Sequence, residues 1–278
     1  MSTMLTRRSL LSTAAALPAA SLRAAKSKLK IGVTDWNLRL AGKTEAVALA
    51  ARLGFQGVEV SLGRKPIDGK LPLDNAELQR QYLAEAKDHK IALAGACLDI
   101  LHVNYLRNDK LALQWIAAGI PITSTLKAKV MLLPFFGNGA LQPADFDYVG
   151  DALRELAPAA EKAGVILALE DTLSARDNVR IMERSRSNAV KTYYDVGNST
   201  FNGFDPLQEI PWLGASRIAQ IHLKDRGYLG EGKIDFPAVI KCILDLGFTG
   251  FANLETSSPQ SVEEDMQRNL DFVRKLMA

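Results

Sequence analysis

Four side chains of types that bind metal ions occur at matching positions in the second half of the chain. Each one lies at or near the end of an apolar run with strand character: Glu170, Asp195, His222 and Glu255. Burying such groups without a partner is costly, so a bound cation is the natural reason for the pattern. Three carboxylates and one imidazole form an oxygen-rich set, which favours Mn²⁺, with Mg²⁺, Co²⁺ or Zn²⁺ as alternatives.

A metal site of this kind suits proton transfer at carbon. A divalent ion that chelates a carbonyl and its neighbouring hydroxyl acidifies the adjacent C–H by stabilising the enediolate. One carboxylate can then remove the proton as general base, and a second group can return it. Return to the same carbon from the opposite face gives epimerisation, and return to the neighbouring carbon gives isomerisation. Without return, loss of a β-hydroxyl gives dehydration, so a lyase is an alternative on the same site.

The elements that must position these residues alternate between strand and helix. We predict strands over 29–34, 57–62, 91–98, 129–134, 165–170, 190–196, 217–223 and 250–255. Helical patterns cover 44–53, 75–89, 109–126, 143–163, 174–186, 206–213, 236–246 and 261–276, with Pro121 expected to break the third helix near its end. Eight such units predict a single-domain α/β protein, a closed (β/α)₈ TIM barrel over 26–278.

An open doubly wound sheet is the alternative fold. Such a sheet normally carries a glycine-rich phosphate-binding turn after its first strand. Here the first strand is followed by Asp35-Trp36-Asn37 instead. In the barrel, the carboxyl ends of all strands meet at one rim, so the four candidate ligands would converge there.

Several motifs carry a resemblance to a known family. They are LALE at 167–170, YDVGN at 194–198, IHLKD at 221–225, GEGKIDF at 230–236 and NLE at 253–255. The chain resembles the xylose isomerase-like TIM barrels, the sugar (phosphate) isomerase/epimerase superfamily, over residues 29–277. The resemblance implies that Glu170, Asp195, His222 and Glu255 bind a divalent metal. It also implies that Glu170 and Glu255 exchange protons with the substrate carbon.

The resemblance extends to candidate substrate contacts. Glu59 lies on the second strand, where the family often has a carboxylate near the substrate. His102 follows the third strand and could bind a sugar hydroxyl. Trp36 follows the first strand and could form an apolar wall against a sugar face. Lys224 could either orient the substrate or pair with Asp225.

Two positions depart from the ketose 3-epimerase pattern. Those enzymes carry a His where this chain has Asn198, and an Arg where it has Tyr228; Arg226 is nearby but offset by two residues. We therefore expect Asn198 and Arg226 to contribute to a different set of substrate contacts, and a ketose 3-epimerase assignment is in doubt.

The charge distribution separates the N-terminus from the rest. Residues 1–25 hold three of the 34 basic residues and no acid, which leaves 31 basic and 31 acidic residues over 26–278. Arg7-Arg8 precede a short apolar run, 10–20, and a small-residue stretch. This resembles a twin-arginine signal recognised by the Tat export machinery, too short for a stable membrane span. We expect a periplasmic or secreted protein, and export argues against phosphorylated substrates.

Other function classes fit less well. The neutral body argues against nucleic acid as a partner, because such binding needs a clustered basic face. A related family of abasic-site nucleases needs additional histidines, and the chain has three in total. A non-catalytic carbohydrate-binding barrel remains an alternative, as does a homo-oligomer. Cys97 and Cys242 match no zinc motif and are expected to be small buried apolar residues, although the sequence leaves pairing open.

Overall fold

The computed structural model describes residues 28–278. Eight parallel strands pair in sequence order and close into a barrel, because β1 also pairs with β8. The strands are β1 Lys30–Thr34, β2 Gly57–Ser61, β3 Ala92–Cys97, β4 Val130–Pro134, β5 Ile166–Glu170, β6 Val190–Asp195, β7 Ile218–Leu223 and β8 Phe251–Leu254. The predicted single-domain TIM barrel is confirmed.

Helices surround the barrel. They are α1 Glu45–Leu53, α2 Ala76–Asp88, α3 Leu111–Thr125, α4 Phe146–Ala163, α5 Ala175–Ser185, α6 Val196–Phe201, α7 Pro206–Leu213, α8 Phe236–Asp245 and α9 Val262–Met277. Short 3₁₀ helices span Asp99–His102, Gly137–Gly139 and Pro143–Asp145. Of the residues that the structure describes, no helix is long and apolar enough to cross a membrane. The proposed signal, 1–25, lies outside the described residues.

The strands form because their apolar runs are covered on both faces. All five residues of β4 are buried, and β2 is buried over its whole length. Continuous burial of this kind is typical of a parallel sheet that packs against helices outside and side chains inside. Cys97 is 4% exposed inside the barrel and Cys242 is half-buried on α8; both are free thiols.

The third and sixth helices differ from the prediction. Pro121 does not break α3, which continues to Thr125. Ile120 and Ile122, on either side of Pro121, are 2% and 3% exposed, so tertiary packing holds the helix through the proline. The short helix α6 was not predicted. It begins directly after Asp195, whose side chain caps it by accepting a hydrogen bond from the backbone of Asn198.

Candidate metal and active site

Four side chains converge at the carboxyl-terminal rim of the barrel, one from each of β5 to β8. The metal-ligating atoms of these residues lie within 4.8 Å of one another; we call them the ligand cluster: Glu170, Asp195, His222 and Glu255. Glu170 and Asp195 are the last residues of their strands, and Glu255 directly follows β8. The cluster contains the predicted metal ligands, brought together by strand register.

His222 directs one ring nitrogen into the cluster and the other into the barrel. Its Nδ1 lies 2.8 Å from Glu170 Oε1, 3.6 Å from Glu255 Oε2 and 3.9 Å from Asp195 Oδ2. Its Nε2 lies 3.0 Å from Glu59 Oε2. Nδ1 is therefore the nitrogen that is placed to bind a cation together with the three carboxylates.

Asp195 has one satisfied and one unsatisfied oxygen. Its Oδ1 accepts a hydrogen bond of 2.7 Å from the backbone N–H of Asn198. Its Oδ2 is buried and, within residues 28–278, accepts no hydrogen bond. Burial and the charge of Glu255 raise the pKa of Asp195 well above its usual range. A buried oxygen without a hydrogen bond, facing an imidazole nitrogen and two more carboxylates, fits a divalent cation.

Glu255 is held in the ionised form. Lys224 Nζ donates to its Oε2 at 2.7 Å, and Trp36 Nε1 donates to its Oε1 at 3.0 Å. Burial alone would raise the pKa of Glu255, but the positive charges of His222 and Lys224 outweigh burial and lower it to about 2. Burial instead dominates at Glu170, whose pKa is raised. The pKa values of the two glutamates are thus shifted in opposite directions.

Below the ligand cluster lies a second set of polar side chains. Each is at most 3% exposed and they hydrogen bond to one another; we call them the core network: Glu59, Tyr193, Gln220 and Asn253. The sequence reasoning did not single out the last three. A signal was available, because they lie two residues before Asp195, His222 and Glu255, and alternate strand residues share a face.

The family described as xylose isomerase-like TIM barrel matches residues 47–276. The chain belongs to this family. The match includes strands β2 to β8 and every residue of the ligand cluster, which β5 to β8 carry.

Two curated relatives and one solved structure give the family context. A 2-epi-5-epi-valiolone 7-phosphate 2-epimerase from Actinoplanes sp. is 29% identical over 198 residues, 70% of this chain and 72% of the relative. An L-ribulose 3-epimerase from Mesorhizobium japonicum is 26% identical over 46% of each chain. The structure of D-psicose 3-epimerase with D-tagatose from Clostridium cellulolyticum superposes with a TM-score of 0.75 at 18% identity, covering 89% of this chain and 99% of that one. That structural likeness shows the fold.

Two of the predicted substrate contacts, Trp36 and Lys224, touch the ligand cluster directly. The Trp36 ring packs edge-on against His222 with centroids 5.9 Å apart. Lys224 Nζ also lies 3.5 Å from Asp195 Oδ2, so its charge faces the cluster and it does not pair with Asp225. Asn198 contributes its backbone N–H to Asp195.

Asp225 organises the loop that follows β7. Its Oδ1 accepts the backbone N–H of Arg226 at 2.8 Å, and its Oδ2 accepts those of Gly230 and Gly232 at 3.2 Å. A Cβ at Gly232 would lie 1.9 Å from Asp225 Oδ1, so the turn needs a glycine there. Asp225 therefore shapes the glycine-containing loop, and its side chain is 7% exposed.

Two aromatic pairs lie on loops that follow the strands. His102 stacks on Phe136 with ring centroids 6.2 Å apart, and the Arg226 guanidinium lies 4.9 Å from the centre of the Phe201 ring. Burial lowers the pKa of His102, which favours the neutral imidazole. These residues follow β3, β4, β6 and β7, so they border the same end of the barrel as the ligand cluster.

Glu59 requires a correction. It was expected near the substrate, but its side chain is 0% exposed and lies on the inner side of His222. Because β2 places this residue inside the barrel, its carboxylate contacts His222 of the ligand cluster from the inner side.

Proposed function

We propose that the protein is a divalent-metal-dependent epimerase or isomerase of a sugar or sugar derivative. The observation that carries the proposal is the convergence of three carboxylates and His222 Nδ1 within 4.8 Å, with the buried Asp195 Oδ2 left without a hydrogen bond. The relatives support the substrate class, because the two curated ones are named as epimerases of a cyclic sugar-like phosphate and of a ketose.

The ligand cluster would hold the metal, and its oxygen-rich composition favours Mn²⁺. When bound, a divalent ion stabilises the negative charge that develops on substrate oxygens as a neighbouring C–H loses its proton. We assign the two glutamates of the cluster, Glu170 and Glu255, as the groups that would accept and return that proton. Lys224 Nζ, 2.7 Å from Glu255 Oε2, orients the second of them.

We further propose export through the twin-arginine route and action in the periplasm or outside the cell. The support is the sequence of residues 1–25, with its Arg7-Arg8 pair and short apolar run. An exported enzyme favours a neutral sugar, an oxidised sugar or a glycoside over a phosphorylated sugar. This distinguishes the proposed substrate from that of the valiolone phosphate epimerase relative.

The test incubates free sugars and keto-glycosides with the Mn²⁺-loaded protein in D₂O. The paramagnetic metal is removed after the reaction, and the products are then analysed by NMR. We expect deuterium to enter the substrate at the carbon beside the carbonyl, with a product of unchanged composition apart from that label. Loss of water or of an aglycone would instead assign a lyase. Binding of a sugar without deuterium exchange would favour the non-catalytic barrel.

The role of Glu255 is tested by Glu255→Gln. We expect turnover to fall by roughly 10²–10⁴-fold, as for the loss of a general base, with an unchanged circular dichroism spectrum. The matched control is Glu263→Gln, because Glu263 is exposed on α9 and pairs with Arg52. A Glu255→Gln enzyme as active as the control would remove Glu255 from the mechanism.

A further inference from the structure

The core network places polar side chains where the interior of a TIM barrel usually has apolar ones. Branched apolar side chains dominate the interior layers of most TIM barrels. Here four polar side chains are buried directly beneath the ligand cluster, and His222 connects the two sets. Because buried polar groups cost free energy unless they are hydrogen bonded, such a network needs a structural reason.

Three hydrogen-bond donors converge on one oxygen of Glu59. Its Oε2 lies 2.7 Å from Tyr193 Oη, 3.0 Å from His222 Nε2 and 3.2 Å from Asn253 Nδ2. A carboxylate only accepts hydrogen bonds, so the imidazole must present Nε2–H to it. Nδ1 lies 2.8 Å from Glu170 Oε1, so in the metal-free protein this nitrogen also carries a proton. A metal ion bound by Nδ1 would take the place of that proton, while Nε2–H stays hydrogen bonded to Glu59.

Neighbouring residues fix the direction of these hydrogen bonds. Gln220 Nε2 donates to the carbonyl of Ala94 at 2.5 Å, which leaves Gln220 Oε1 as an acceptor facing Tyr193 and Asn253. The side-chain oxygen of Asn253, Oδ1, packs against the backbone of β1: it lies 2.0 Å from the position that a Cβ on Gly32 would occupy. The bond to Ala94 therefore orients the Gln220 amide, and Gln220 Oε1 in turn orients Asn253 with its Nδ2 toward Glu59.

We propose that Glu59 is a positioning residue that holds the His222 ring with Nδ1 toward the metal. The core network in turn holds Glu59. This proposal rests on the proposed metal-dependent function, and it assigns Glu59 an effect on metal affinity rather than on substrate contact. Partners of this kind behind metal-binding histidines typically change metal affinity by roughly 10–100-fold when they are removed.

The first test measures Mn²⁺ affinity of the full chain by electron paramagnetic resonance of the free ion. We expect Glu59→Leu to raise the Kd by roughly 10–100-fold. Glu59→Gln keeps an oxygen that can accept a hydrogen bond from Nε2–H. Its Kd for Mn²⁺ should therefore rise less, by about threefold to tenfold. The control is Asp265→Asn, which neutralises another buried carboxylate; Asp265 contacts Tyr228 and the backbone of Gln260 and Ser261.

The second test determines which nitrogen of the His222 ring binds the metal. The chain has three histidines, so long-range ¹H–¹⁵N spectra of the Zn²⁺-loaded protein can be assigned with a His222→Gln reference. We expect the wild-type spectrum to show Nδ1 bound to the metal and a protected Nε2–H. In Glu59→Leu we expect that protection to be lost and Nε2 coordination to appear. A purely structural role would lower the melting temperature of the metal-free protein without changing which nitrogen binds.

The outcomes separate the two proposals. A wild-type protein that binds no Mn²⁺ would contradict the proposed function and this inference with it. A wild type that binds Mn²⁺, beside a folded Glu59→Leu variant with a Kd within twofold and unchanged Nδ1 coordination, would overturn the inference alone. If Glu59→Leu does not fold, Glu59→Gln decides: a Kd equal to that of Asp265→Asn would overturn the inference, and a Kd at least threefold weaker would support it.

Discussion

Asp195 Oδ2 is the atom at which the ligand cluster departs furthest from a satisfied protein interior. It is buried, faces Glu255 and Glu170, and accepts no hydrogen bond within the described part of the chain. An oxygen in this position destabilises the metal-free protein, since a buried acceptor loses its hydration without replacement. A bound cation would convert the same atom into a stabilising contact.

Asp195→Asn separates these two effects. The neutral amide removes a charge from the cluster, so we expect the metal-free variant to melt at the same temperature as wild type or higher. The thermal shift on adding Mn²⁺ should be lost; for wild type at 100 times the Kd it corresponds to about 2.7 kcal/mol. Differential scanning fluorimetry with and without Mn²⁺ measures both. An Asp195→Asn protein with a full Mn²⁺ shift would exclude Asp195 as a ligand.

At the scale of single residues, the sequence predicted the ligand cluster but not the three partners of Glu59 in the core network. The cluster was accessible because strand-end acids and a histidine stand out beside apolar runs. Tyr193, Gln220 and Asn253 have no such contrast, since each is also an ordinary strand residue. The hydrogen bonds of Tyr193 and Asn253 to Glu59 depend on closure of the barrel, because they join residues that are 134 and 194 positions apart in the sequence.

At the scale of elements, a buried acid pair joins the ends of the first three strands. Asp35 follows β1 and accepts hydrogen bonds of 2.9 Å from the backbone N–H groups of Gly42 and Ser61. Ser61 Oγ lies 2.9 Å from Asp35 Oδ1 and 3.3 Å from Asp99 Oδ1. These contacts fix the loop that carries Trp36 to Glu255 and the 3₁₀ turn that carries His102.

The acid pair predicts a pH-dependent stability. Burial raises the pKa of Asp35 from 3.8 to about 7 and that of Asp99 from 3.8 to about 6. The folded protein therefore keeps protons that the unfolded chain has lost between about pH 4 and 7. This contribution is fully present below pH 3.8 and is lost as the pH rises to about 7.

We expect Asp35→Asn to flatten the fall in melting temperature of the metal-free protein between pH 4 and 7. The amide cannot ionise, and it keeps one oxygen for the backbone of Ser61 or Gly42. Calorimetric melting across this range in EDTA measures the slope. Asp245→Asn is the control, because Asp245 is exposed and pairs with Lys241 on α8. Parallel curves for wild type and Asp35→Asn would contradict the prediction.

Element boundaries were predictable where periodicity was strong. Every observed strand lies within its predicted range, with ends that differ by at most one residue. The errors fall where local signals are weak or are overridden. The six residues of α6 are too few to show a helical period, and the helix begins at the cap that Asp195 provides. Pro121 is tolerated because buried isoleucines hold α3 on both sides.

At the scale of the whole molecule, charge divides the chain in two. The net charge of +3 equals the charge of residues 1–25, and residues 26–278 are balanced. The family match and the barrel explain the balanced part. Residues 1–25 lie outside the described part of the chain, and their sequence is the basis of the proposed export.

Replacing Arg7 and Arg8 together by lysine tests the export route. Because the twin-arginine signal is read through its arginine pair, we expect most of the protein to remain in the cytoplasm although the charge is unchanged. Cell fractionation and immunoblotting of a bacterial host that has this machinery measure the distribution. Arg23→Lys is the control and should be exported like wild type. Equal export of the double variant would rule out this route.

Closure of the barrel couples the first strand to the last. Val33 pairs with Leu254, and Trp36, just after β1, hydrogen bonds to Glu255, just after β8. The contact between the two ends of the barrel sheet is therefore also a contact of the ligand cluster. Under the proposed metal-dependent function, loosening the pairing of β1 with β8 would disturb Glu255 and weaken metal binding.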